Sequence, residues 1–147
     1  MVERIKAENK VSQASVYNNL AYYSAVTASE YEGTAAQTKA VLEKYDHMLP
    51  DRRHIVSGLV VLSHEADAQG FFETWKSWIP TENEPALTVI RAGLAHGAHV
   101  SVALNVALTD DIGRTRLNDG TGMLVRYGGV AYFSGRSIDG GQKSLRD

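Results

Sequence analysis

The nine residues YNNLAYYSA at 17–25 recur in similar form as YGGVAYFSG at 127–135, with Tyr17, Ala21, Tyr22 and Ser24 matched by Tyr127, Ala131, Tyr132 and Ser134. Each copy sets apolar and tyrosine residues around a dipeptide, Asn18-Asn19 or Gly128-Gly129, suited to the left-handed backbone of a tight two-residue turn. A chain carrying this repeat has to accommodate two β-hairpins, the second close to its end. That second segment, Met123 to Gly135, brings strands and no helix. An isolated hairpin is marginal in water, so it has to dock on its own sheet edge or on a neighbouring subunit. Two origins stay open for the repeat. It is either the start of a second domain-like unit that does not continue, or a chance likeness between two tyrosine-rich hairpins.

Composition removes several function classes. The 147 residues suit one domain, with 22% charged and 44% hydrophobic residues. A net charge of −2, with no basic run, gives no field to gather nucleic acid or an anionic membrane. The absence of cysteine excludes disulfides, thiolate catalysis and Cys-ligated metals. The charged start, MVERIKAENK, does not read as a secretory signal, and no apolar run approaches the roughly 20 residues of a membrane span. A cytoplasmic location is the default expectation.

Val11 to Val26 alternates as a hairpin. Thr34-Ala35-Ala36-Gln37 has the capping-box pattern and opens a helix with Val41, Tyr45, Met48 and Leu49 on one face, ending before Pro50. Ile55 to Leu62 reads as a buried strand. A second helix from about Asp67 to Ile79 carries Phe71, Trp75, Trp78 and Ile79 in one stripe. After the polar loop Thr81–Pro85, strands are expected at Ala86–Leu94 and Ala98–Leu108, joined by a turn around His96-Gly97. The order is β-β-α-β-α-β-β, an α+β sheet with two helices on one face. Residues 1–108 form this domain, 109–122 a Gly- and Asp-rich linker, and 123–147 the C-terminal hairpin and a polar tail.

The order and several local matches resemble the RidA family, also called YjgF or endoribonuclease L-PSP. Ser12-Gln13-Ala14 and Tyr22-Tyr23-Ser24 are similar to its opening hairpin. Ala36-Gln37-Thr38 with Val41-Leu42 resembles its first helix, and Ile55-Val56 with Val60 to Leu62 its third strand. Pro85, Ala92-Gly93-Leu94 and Val100 to Val102 resemble its last two strands. The resemblance covers about residues 11 to 108. It implies a chorismate-mutase-like fold, a homotrimer and ligand clefts between subunits. It also implies hydrolysis of reactive imines and enamines such as 2-aminoacrylate to keto acids and ammonia.

The chain departs from that pattern where the chemistry would sit. Relative to the family, Leu87 stands for the arginine that clamps the substrate carboxylate, and Val89 for a small residue. Ser101 stands for the acidic residue of the last strand, and Val11 for a tyrosine. The hairpin serine survives as Ser24, followed by Ala25 rather than glycine. Losing the clamp and the base together removes both positioning and proton transfer, which argues against standard 2-imino acid deamination.

Candidate residues each have a plain alternative. Arg91 shares a strand face with Leu87 and offers a displaced anion contact, or is a solvated arginine. His96 and His99 flank the turn before the last strand and are candidate general bases, or surface histidines. As a pair with no acidic partner nearby in sequence they make a weak metal signal, and neither a metal nor a cofactor is expected. Trp75 and Trp78 read as core or subunit-facing residues rather than ligand platforms. Glu30 and Glu32 are possible carboxylates or solvated loop. Asp110, Asp111 and Asp119 lack calcium-loop spacing, and Gly120-Thr121-Gly122 lacks phosphate-loop context. Tyr22, Leu87, Val89, Arg91, Ser101 and Tyr127 are the candidate ligand contacts, with Tyr127, Tyr132 or Ser134 expected to reshape the cleft. Two functions follow. One is an enzyme acting on a reactive imine, enamine or related carbonyl metabolite. The other is a non-catalytic binding or interaction module on the same scaffold.

Overall fold

A computed structural model describes residues 2–5, 13–117 and 122–135. Val11, Ser12, Asp119, Gly120, Thr121 and the tail at 136–147 lie outside the described residues. The main sheet has six strands, β1 (Glu3–Ile5), β2 (Ala14–Tyr17), β3 (Leu20–Tyr23), β4 (Ile55–Leu62), β5 (Ala86–Arg91) and β6 (Val100–Ala107). Their spatial order is β1-β2-β3-β6-β4-β5. The β4–β5 pair is parallel and the remaining pairs are antiparallel. The turn at His96-Gly97 has φ of 57° and 77°, but it does not make β5 and β6 neighbours, because β4 lies between them. β1 is an addition that the charged N-terminal sequence did not advertise.

Helices α1 (Thr34–Met48) and α2 (Ala68–Trp78) cover one face. Alternation along β6 turns Val100, Val102, Leu104 and Val106 toward them, all with no measurable exposure. Val60 and Leu62 of β4 join Val41, Leu42, Tyr45, Phe71, Trp75 and Ile79 in this core. Trp75 and Trp78 are packing residues: Trp75 stacks on Phe71 at 5.8 Å, and the Trp78 indole donates to Asp46 beneath the Arg52 guanidinium. Tyr45 is fully buried, and its hydroxyl donates to Val102 O at 2.8 Å and lies 3.2 Å from Ser24 O. Burial pushes that hydroxyl well above the ordinary tyrosine range. Tyr45→Phe is therefore expected to cost about 1 kcal/mol, read as a lower urea midpoint with an unchanged slope.

The capping box does not form. The N-cap is Gly33, at φ 85°. The Thr34 hydroxyl donates instead to the Asp67 carboxylate. Gln37 is 1% exposed and has to satisfy a whole amide, so it turns inward. It donates to Tyr31 O and Gly97 O and accepts from the His99 N–H. Long-range partners outcompete the local cap.

The stretch read as a linker contains a strand, β7 (Gly113–Arg116), which pairs with β8 (Met123–Tyr127), which pairs with β9 (Val130–Phe133). This three-stranded sheet lies on the face of its own six-stranded sheet, opposite the helices, rather than on its edge. Met123, Val125 and Tyr127 pack on Leu20, Val56, Ala86 and Ala107. Tyr127 Oη donates to Asn19 O at 3.0 Å, and Gly135 N donates to Thr88 Oγ1. The Arg114 guanidinium reaches down to three main-chain carbonyls, Glu84 at 2.7 Å, Arg53 at 2.7 Å and Ile55 at 2.9 Å.

The small sheet repeats β1–β2–β3. Arg4 pairs with Ser15 and Ser15 with Tyr22; Arg114 pairs with Val125 and Val125 with Tyr132. Both turns use two positive φ angles, 51° and 61° at Asn18-Asn19, 57° and 77° at Gly128-Gly129. Ser24 N donates to Gln13 O as Ser134 N does to Met123 O. A third strand in the same register favours a repeated unit over a chance likeness of hairpins. The copies differ at one edge. β3 continues into β6, whereas β9 has no further strand beside it among the described residues.

Candidate functional site

The residues singled out in the sequence divide between the two faces of the sheet. Leu87 and Val89 of β5 turn toward the helices and pack into that core; Leu87 is 7% exposed. Arg91, at the end of the same strand, is exposed. Ser101 alternates with the buried Val100 and Val102, so it faces the other way, opposite Val61 of β4, and is 8% exposed. Tyr22 is exposed on that same face, while Tyr127 is buried by its contacts with Asn19 and Thr109. Burial raises the Tyr132 hydroxyl pKa, with Tyr22 and Tyr127 adding to it. Ser24 is exposed just past β3, and Ser134 is buried, its hydroxyl accepting from Met123 N. Glu30 pairs with Lys44 at 3.3 Å on the surface.

An open groove of about 450 Å³ lies between the small sheet and the main sheet. Ser57, Thr88, Asn105, Tyr132 and Phe133 line it with Leu59 and small residues, all uncharged. Asn105 donates to Ser57 Oγ at 2.9 Å within it.

The polar groups that do converge lie elsewhere, where β4 ends and β6 begins. His99 precedes β6, and its backbone carbonyl accepts from Ser63 N just past β4. His99 Nδ1 is 3.3 Å from Asp67 Oδ2. His64 Nδ1 is 3.0 Å from Ser63 Oγ and 3.7 Å from the same Asp67 oxygen. Burial alone would raise the Asp67 pKa; hydrogen bonds from Thr34, His99 and Ser63 outweigh it and hold the carboxyl below its usual range. His96, in the exposed turn, is not part of this cluster as built by its hydrogen bonds. Sequence reading paired His99 with His96. The true partners, His64 and Asp67, lie more than thirty residues earlier and become legible once the β4–β6 register is known.

Comparison with known proteins gives the class first. The architecture matches that of a YjgF-family protein from Neisseria meningitidis, with a TM-score of 0.71 and 23% identity, covering 75% of this chain and 97% of that one. It also matches a Rid-family protein from Yersinia pestis, with a TM-score of 0.64 and 19% identity over 69% and 90% of the two chains. No family model matches the chain. A RutC family protein of Haemophilus ducreyi is 31% identical over 101 residues, 65% of this chain and 86% of that protein. Another, from Haemophilus influenzae, is 26% identical over 104 residues, 64% and 86% of the two. The chain belongs to the RidA family, under which name the RutC, YjgF and Rid relatives fall together. Among the described residues no helix is long and apolar enough to cross a membrane.

Proposed function

We propose that this protein is a self-associating RidA-type enzyme whose substrate is a reactive imine, enamine or related carbonyl compound without an amino-acid carboxylate. The observation that carries the reading is Leu87. The position expected to hold a guanidinium is an aliphatic side chain, 7% exposed in the helix-side core. A carboxylate brought there would lose its hydration without gaining a cation, so 2-imino acids are disfavoured. Leu87 and Ser101 face opposite sides of one sheet, so a ligand touching both positions needs a cleft between copies. Exposed Tyr22, Leu59 and Ile90 on the sheet supply apolar surface for such an assembly. The second reading, a binding module without catalysis, is favoured by Ser101, a hydroxyl where the resemblance places a carboxylate base.

Three measurements test the readings. Light scattering is expected to give a trimer mass. 2-Aminoacrylate generated in situ is expected to yield pyruvate at the same rate with and without the protein. A carboxylate-free N–H ketimine is expected to release ammonia faster in its presence. Faster pyruvate release would overturn the proposed substrate class. No effect on either compound, from a folded trimer, would leave the binding module.

A further inference from the structure

The cluster of His64, Asp67 and His99 is not used by that reading, and it has the composition of a metal centre. We propose that these three side chains bind one divalent transition ion of the zinc class through His64 Nδ1, Asp67 Oδ2 and His99 Nδ1.

One candidate ligand atom from each of the three residues lies within 4.8 Å of the others. Two ligand atoms bonded to a tetrahedral zinc at about 2.0–2.1 Å stand roughly 3.3 Å apart. His99 Nδ1 and Asp67 Oδ2 are separated by 3.3 Å, and His64 Nδ1 and Asp67 Oδ2 by 3.7 Å. A small rotation of the His64 ring closes the set. Its side chain is 73% exposed, which leaves the ring room to turn. Two imidazoles and one carboxylate suit zinc and its neighbours rather than magnesium or calcium, which prefer all-oxygen shells.

The ligands stand in short turns at the ends of β4, α2 and β6 and are tied there by hydrogen bonds. Antiparallel pairing of Leu62 with Val100 sets Ser63 beside His99 and so fixes where His64 emerges. Asp67 is the residue before α2, and Thr34 at the start of α1 and Ser63 both donate to its carboxylate. Gln37 of α1 holds the His99 backbone at 2.7 Å. Hydrogen-bonded supports of this kind orient ligands in metal sites. The rings are 6.1 Å apart, centre to centre, and tilted by 42°, so both can address one point beside the carboxylate. Three protein ligands at an accessible surface leave positions for water or a ligand. Binding through His99 Nδ1 replaces that atom's contact with the Asp67 carboxylate by a shared metal.

The test is titration of untagged, chelator-stripped protein with zinc chloride, followed by calorimetry and by thermal melting. One equivalent is expected to bind and to raise the melting temperature. His64→Ala removes an exposed ring, so its fold is expected to persist while affinity falls at least about tenfold. Asp67→Asn is expected to lose binding as well, and His96→Ala to retain it. No zinc binding by the wild-type chain overturns the proposal. So does binding of equal affinity in His64→Ala, which would leave the cluster as a hydrogen-bonded loop anchor.

Discussion

A chain ending at Leu108 is expected to melt far below the full-length protein. The small sheet covers Leu20, 4% exposed, and Val56, fully buried, together with Ala86 and Ala107. Uncovering Leu20 and Val56 forfeits about 1.5–3 kcal/mol each. At about 2–4 °C per kcal/mol for a chain of this size, the melting temperature falls by roughly 6–24 °C. Scanning calorimetry of both chains reads the shift, and light scattering of the same samples reads whether assembly survives. Where the short chain proves insoluble, Val125→Ala with Tyr127→Ala removes the same contacts in the full chain. An unchanged melting temperature in either variant would mean that the small sheet contributes nothing to the stability of the face beneath it.

Arg114→Ala is expected to destabilise the protein by about 3 kcal/mol or more, because each hydrogen bond from a charged donor contributes about 1.5–3 kcal/mol and three are lost. Glu84, Arg53 and Ile55 would each lose a donor to their carbonyls. Burial lowers the Arg114 pKa, but a guanidinium starts so high that it stays charged. Arg114→Lys is expected to recover a minor part, since one ammonium cannot span three carbonyls arranged for a planar fork. Urea unfolding should show the loss as a lower midpoint at constant slope. A shift within the roughly 0.5 kcal/mol typical of surface substitutions would refute the strut role.

Where local chemistry decided the structure, the sequence was readable. Asn18-Asn19 and Gly128-Gly129 dictate tight turns, and the apolar run Ile55–Leu62 is the strand it was expected to be. The aromatic stripe of Phe71, Trp75 and Ile79 faces the core as its helical spacing required. The misses share a cause in long-range partners. Thr34 and Gln37 carry a helix-start pattern, but Asp67, Gly97 and His99 claim their side chains. Gly113–Arg116 lacks alternating apolar residues because its inward group is the Arg114 guanidinium, which finds carbonyls instead of a greasy surface. The polar cluster was half visible. His99 drew notice, while His64 and Asp67 are joined to it by sheet register, which no spacing rule reports. Leu87 and Ser101 were legible as departures from the family pattern, and the opposed directions of their side chains follow from strand alternation.

The hydroxyl of Tyr127 bonds a carbonyl 108 residues earlier in the chain. During synthesis the part carrying β1 to β6 leaves the ribosome before its cover exists. The first hairpin, both helices and all of β4 to β6 are complete while Leu20, Val56 and Ala107 still face water. Domains fold as they emerge, and exposed apolar surface on such intermediates invites association. The nascent protein therefore passes through a stage with one wall open, and that wall closes only once β7 to β9 have been made. Association of nascent chains through that face is barred from the region the small sheet occupies only once that sheet has docked, which makes the order of closing and associating a property of how the chain is made.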